Sequence, residues 1–168
     1  MPKEVVLINP CLDYPLSKSG SQSRHNRIWP PLSLAYSAAL LENAGVEVKI
    51  VDANAERLTP AEVADKIGDS EKIFLTTSTL DRWQCPHLDL SPFLEMVKEI
   101  KKKNQSTKIF LVGSHGTIRP EEMLKLTEAD VLIIGEPEFT ILDICRGNKL
   151  AIYQGRNRNR HWSREYLF

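Results

Sequence analysis

The chain has 168 residues, 42% of them hydrophobic and 26% charged, a size and composition that fit one compact domain with a single core. Its 22 Lys and Arg balance 22 Asp and Glu, so no global field exists to attract nucleic acid or anionic lipid. Cys11, Cys85 and Cys145 are odd in number and too dispersed for a zinc or iron–sulfur spacing motif, which points to reduced thiols.

The stretch before Asn9-Pro10 has neither the length nor the flanks of a signal peptide. No segment approaches the roughly 18 apolar residues of a membrane span. A soluble, cytoplasmic chain with no membrane partner is expected.

Five runs rich in Val, Ile and Leu recur along the chain, over residues 4–9, 46–52, 72–78, 107–113 and 130–135. Each has strand length and is nearly continuous in apolar character, as in strands buried on both faces of a parallel sheet. Between the first two, residues 30–44 predict a helix with Leu32, Ala35, Tyr36, Ala39 and Leu40 at helical spacing, proline in its first turn and Gly45 as its stop. Thr59-Pro60-Ala61-Glu62 opens a second helix with a cap, a proline and an acid, and Gly68 closes it.

Ser91-Pro92 opens a third helix, with Phe93, Leu94, Met96, Val97 and Ile100 on its inner face. It ends in Lys101-Lys102-Lys103, cations where the macrodipole favours them, and so a solvated helix end in preference to a binding patch. Arg119-Pro120-Glu121-Glu122 begins a short fourth helix, and Pro137-Glu138 a fifth that runs to about Arg146.

Strand and helix thus alternate five times. The pattern predicts a doubly wound α/β domain over residues 1–146, with a flavodoxin-like, parallel five-stranded sheet in the order 2-1-3-4-5 and helices on both faces. Residues 147–168 form a basic linker or C-terminal tail. They include an edge-strand candidate at Leu150-Ala151-Ile152-Tyr153, followed by Arg156, Arg158, Arg160, His161 and Arg164. Trp162 and Tyr166 could stack on bases, but no matching basic surface pattern accompanies them, and nucleic acid is not the favoured partner.

Ligands on such sheets bind beyond the carboxyl ends of the strands, which directs attention to the loops after Asn9, Ser78, Gly113 and Gly135. The loop Asn9-Pro10-Cys11-Leu12 has no glycine-rich turn for a dinucleotide, and no P-loop occurs anywhere. The serine-rich stretch over residues 17–23 lies too far past the first strand for a flavodoxin-type phosphate cradle. A receiver domain would need an aspartate where Thr77-Ser78-Thr79 stands.

The remaining pattern resembles the N-terminal cobalamin-binding domain of cobalamin-dependent radical SAM enzymes. The resemblance rests on Val5-Val6-Leu7-Ile8-Asn9-Pro10, Pro30-Pro31-Leu32-Ser33-Leu34-Ala35, Val51-Asp52-Ala53-Asn54, Ser78-Thr79-Leu80, Gly113-Ser114-His115-Gly116 and Gly135-Glu136-Pro137-Glu138, in that order. It implies that cobalamin is the cofactor. It also implies a pocket formed by Asn9, Pro10, Thr77, Ser78, Thr79, Leu80, Gly113, Ser114, His115, Gly135 and Glu136. In such domains a Ser-x-Leu and a Gly-Gly receive the nucleotide tail, so Ser78 would offer its hydroxyl and Gly113 a close backbone approach, with Ser114 in place of the second glycine.

Read without the family, Ser78 is a strand-end hydroxyl, Gly113 a turn glycine and His115 a histidine satisfied by neighbouring backbone. For Glu136 and Glu138 a structural role at the start of the last helix is preferred to acid–base catalysis. The better-known corrinoid carriers have Asp-x-His-x-x-Gly after the first strand; here Asp13 is followed by Tyr14 and Pro15. No orienting acid accompanies His25, so an exposed loop histidine is preferred to a cobalt ligand, and base-off cobalamin is the state the resemblance implies. The stretch from Pro10 to Trp29 is long for a strand-to-helix connection and suggests a functional loop, with Trp29 either shielding the cofactor or stapling the first helix.

The Cys-x-x-x-Cys-x-x-Cys loop that holds an iron–sulfur cluster and S-adenosylmethionine is absent, so no catalysis is expected from this chain alone. The resemblance puts that chemistry in a radical SAM barrel partner, in cis or in trans. The alternatives are a flavodoxin-like structural or protein-interaction domain without corrinoid, and a flavin or nucleotide binder.

Overall fold

The computed structural model of the chain describes residues 4–11, 30–77, 90–147 and 153–154. The apolar runs become β1 (Val5–Asn9), β2 (Val48–Asp52), β3 (Lys72–Thr76), β4 (Lys108–Val112) and β5 (Val131–Leu132). These five pair in parallel in the order 2-1-3-4-5, as the alternation predicts. A short β6 (Tyr153–Gln154) adds antiparallel to β5, at the place of the expected edge strand.

Side chains along the strands alternate between two cores. Val6, Ile8, Ile73, Leu75, Ile109, Leu111 and Leu132 face one side, under α3 (Pro60–Ile67), α4 (Ser91–Lys103) and α6 (Pro120–Leu126). Val5, Leu7, Phe74, Phe110, Val112, Val131 and Ile133 face the other, under α1 (Leu32–Asn43) and α7 (Glu138–Arg146). This period of two, with both faces apolar, is why the strands read as continuous hydrophobic runs. Phe74 and Phe110 are register partners and stack with ring centroids 4.7 Å apart. Each fully buried side chain of this size contributes about 1.5–3 kcal/mol.

Helix starts follow their sequence signals. Thr59 caps α3 through its hydroxyl, and Glu62 answers by accepting from the Thr59 N–H at 2.8 Å, a complete capping box. In α4, Phe93, Met96, Val97 and Ile100 are buried and Leu94 is partly so, as its spacing predicts. Two further short helices, α2 (Ala53–Glu56) and α5 (Ser114–Ile118), follow the carboxyl ends of β2 and β4.

The first helix differs from its sequence reading in which face it buries. The stripe Leu32, Ala35, Tyr36, Ala39 points outward, with Leu32 67% and Tyr36 54% exposed, while Leu34, Ser37, Ala38 and Leu41 pack on the sheet. Both stripes keep helical spacing and both are largely apolar, so periodicity alone does not choose between them.

At the amino edge of the sheet the polar groups close on one another. Lys101 donates to the Thr107 carbonyl at 2.6 Å and pairs with Asp130 at 2.5 Å, and Asp130 also accepts from the Ile109 N–H. The buried Thr107 hydroxyl donates to the Ser70 carbonyl, and the Ser70 hydroxyl to the Ile67 carbonyl. Lys102 pairs with Glu99 and Lys103 with Asp65, so the three lysines ending α4 are all held in structural ion pairs.

Candidate functional site

The carboxyl edge is built differently. In the order 2-1-3-4-5 the chain reverses direction between β1 and β3: α1 leaves β1 for one face of the sheet, and α4 follows β3 on the other. Such a switch point is where doubly wound sheets hold ligands. Asn9 ends β1 and Thr77 immediately follows β3, and both are 0% exposed.

Asn9 is the register partner of Asp52 at the end of β2. Its Nδ2 donates to Asp52 Oδ1 at 2.8 Å, and the same oxygen accepts from the Ala55 N–H at 3.0 Å, capping α2. The other end of the Asn9 amide, Oδ1, is buried with no hydrogen-bond partner among the described residues. Pro10 and Cys11 continue from it as buried residues. Thr77 has its N–H on the Val112 carbonyl at 2.8 Å, and its hydroxyl donates to the same oxygen at 3.2 Å, tying the end of β3 to β4.

Beyond β4, Gly113 has φ 111 and ψ 179, backbone that a side chain would strain, and it leads directly into α5. Ser114 opens α5 and is exposed; His115 follows, half-buried, with Nδ1 buried and unpartnered among the described residues. Thr117 donates to the Gly113 carbonyl at 3.1 Å and accepts from the Gly135 N–H at 3.0 Å, so one hydroxyl joins the loops after β4 and β5. Gly116 lies against the core: a Cβ there would meet Leu132 Cδ1 at 2.8 Å. Gly135 and Glu136 are exposed, and Glu138 occupies the first turn of α7, where its charge suits the macrodipole.

Asn9, Pro10, Thr77, Gly113, Ser114, His115, Gly135 and Glu136 therefore all lie along one edge. Ser78, Thr79, Leu80, His25 and Trp29 lie outside the described residues. Sequence reasoning assigned no role to Asp52, Gly116 or Thr117. For Asp52 a signal existed, since an aspartate ahead of Ala-Asn-Ala-Glu reads as a helix cap. The links made by Thr117 depend on strand register and left no local trace.

Among the described residues, no cluster of three or more His, Cys, Asp or Glu could hold a metal ion, and no helix is long and apolar enough to cross a membrane. A corrinoid is held chiefly by contacts to its amide side chains and nucleotide tail, and its cobalt does not require a cluster of protein ligands. Two unmet buried polar atoms and a glycine whose backbone no side chain crowds, along one edge, fit that kind of ligand.

Fold and edge together define a flavodoxin-like α/β domain with the candidate residues gathered at the carboxyl edge of its sheet. The sequence matches the B12 binding domain family over residues 25–144, and the chain belongs to that family. No curated protein sequence matches it. Among solved structures, the radical S-adenosylmethionine methyltransferase TsrM from Kitasatospora setae shares the fold. With tryptophan substrate and the SAM analogue aza-SAM bound, it matches at TM-score 0.70 and 16% identity over 93% of this chain and 29% of that one. With cobalamin and its 4Fe–4S cluster bound, it matches at TM-score 0.68 and 18% identity, over 94% and 28%. The chain spans less than a third of the length of that enzyme.

Proposed function

We propose that this chain holds cobalamin, in the base-off state, for a radical SAM barrel that carries the iron–sulfur cluster and S-adenosylmethionine. The observation that carries the reading is a pair of buried atoms unpartnered among the described residues, Asn9 Oδ1 and His115 Nδ1, at the carboxyl edge of a B12-binding fold. Buried polar atoms without partners are rare in folded proteins, and a ligand is one way to meet them.

Residues 1–146 act as the corrinoid module and 147–168 as the connection to the barrel, in the cytoplasm. Asn9 and Pro10 line one wall of the crevice and Gly113, Ser114 and His115 the other. Thr77 lies between them, Gly135 and Glu136 extend the rim, and Ser78, Thr79 and Leu80 are assigned to the same pocket. Gly113 lets backbone approach the nucleotide tail, Ser78 offers it a hydroxyl, and Thr77 and Thr117 fix the loops that carry these groups. When bound, cobalamin supplies a cobalt centre for methyl transfer or for radical chemistry on the partner's substrate.

Titration of hydroxocobalamin into the purified chain tests the proposal. The expected result is a change to the base-off visible spectrum, with colour retained after desalting. An unchanged spectrum and a colourless desalted protein would refute it and leave an interaction domain without corrinoid. A parallel titration with FMN reads out the flavin alternative.

A further inference from the structure

Asn9 is fully buried, yet only half of its amide is used. Nitrogen and oxygen of such an amide are assigned from their surroundings, and here the surroundings decide. Flipping the group would place its oxygen against the Asp52 carboxylate, two acceptors with no proton between them. Asp52 is itself anchored, because its Oδ1 also accepts the Ala55 N–H. The nitrogen therefore faces Asp52 and the oxygen faces away.

A hydrogen bond to a carboxylate also polarises the amide and makes its free oxygen a stronger acceptor. A negative charge directly behind it disfavours any anion in front. The unmet atom is thus a fixed acceptor matched to a neutral N–H or O–H donor.

We infer that Asn9 Oδ1 accepts a hydrogen bond from the bound corrinoid, with Asp52 as the positioning residue that sets its direction. This rests on the corrinoid reading and deepens it. A corrinoid offers donors of the required kind in the carboxamides around its ring and the ribose hydroxyls of its nucleotide tail. Ring carboxylates, as in incompletely amidated corrinoids, are of the wrong polarity.

Spectral titrations of wild type, Asn9→Leu and Asp52→Asn with cobalamin and with cobinamide, which keeps the ring amides and lacks the tail, test the inference alongside urea denaturation of the ligand-free proteins. Asn9→Leu removes the unmet oxygen along with the Asp52 contact, so ligand-free stability should change little while the cobalamin Kd rises about tenfold to a hundredfold. Asp52→Asn keeps a competent helix cap. The cap oxygen still accepts the Asn9 Nδ2–H and only the charge that polarises the amide is lost, so a smaller rise, about twofold to threefold, is expected from a protein of normal stability.

An equal loss with cobinamide identifies a ring carboxamide as the donor, and a loss confined to cobalamin identifies the tail hydroxyl; either supports the inference. Wild-type binding that both variants leave unchanged overturns it while sparing the corrinoid reading. Failure of wild type to bind either corrinoid overturns both. Should Asn9→Leu not fold, Asp52→Asn decides alone.

Discussion

Replacing Gly116 by alanine should loosen the domain through a single contact. A Cβ at this position would lie 2.8 Å from Leu132 Cδ1, 3.1 Å from Cγ and 3.4 Å from Cδ2. Leu132 is 1% exposed and belongs to the core under α3, α4 and α6, so it has little room to retreat. Overpacking of this kind costs about 1–3 kcal/mol. The better helix propensity of alanine offsets up to about 1 kcal/mol, leaving a net loss of about 1–2 kcal/mol. With a urea slope of about 2 kcal/mol per molar, the unfolding midpoint should fall by about 0.5–1 M. Leu132→Ala alone should cost about 2–4 kcal/mol by leaving a cavity. The double variant should be more stable than the sum of the two by about 1 kcal/mol, since the new methyl enters the space Leu132 leaves. Because α5 also carries His115 and Thr117, cobalamin affinity should fall in Gly116→Ala and recover in the double variant. A Gly116→Ala midpoint at or above wild type, or strict additivity in the double variant, would refute the reasoning.

Asp130→Ala should cost about 1–3 kcal/mol in urea denaturation, because Lys101 and the Ile109 N–H both lose their acceptor, whereas Asp130→Asn, which keeps an acceptor, should cost less; equal losses would discount the Ile109 hydrogen bond. Thr59→Ala should cost about 1 kcal/mol by removing the α3 cap. The Thr59 N–H and then its hydroxyl hold the Glu62 carboxyl below the usual glutamate range. A depressed folded-state value means that the stability Glu62 adds is present above its unfolded-state value and lost as pH falls through the folded one. Glu62→Gln should therefore be less stable than wild type at neutral pH, with the difference closing in acid, as followed by thermal denaturation across pH. Burial pushes the Cys145 thiol up, partly countered by the charge of Lys72. Peptide-resolved alkylation at pH 8 should find it slower than an unhindered thiol, and slower again in Lys72→Met.

The sheet was legible because its strands are apolar on both faces and each is bounded by turn or capping residues: predicted boundaries for β1, β3 and β4 fall within two residues of those observed. The capping box at Thr59 and the inner face of α4 were equally readable, being local. Burial in α1 was not, since a helix with two apolar stripes carries no local record of which one meets the sheet. At the site, the edge residues could be listed from strand ends, but their chemistry could not. The Asn9–Asp52 bond joins residues 43 apart, and Thr117 reaches Gly135 from 18 away. Such pairings are set by strand register, which emerges only when the sheet assembles.

The two ends of the sheet divide their labour. Ser70, Lys101, Thr107 and Asp130 lock the amino ends of the strands and the helix termini beside them, far along the strands from Asn9. A domain secured at one end can tolerate more change in the surface loops at the other. Evolution can then rewrite what this scaffold recognises one loop at a time, with no need to solve the folding problem again.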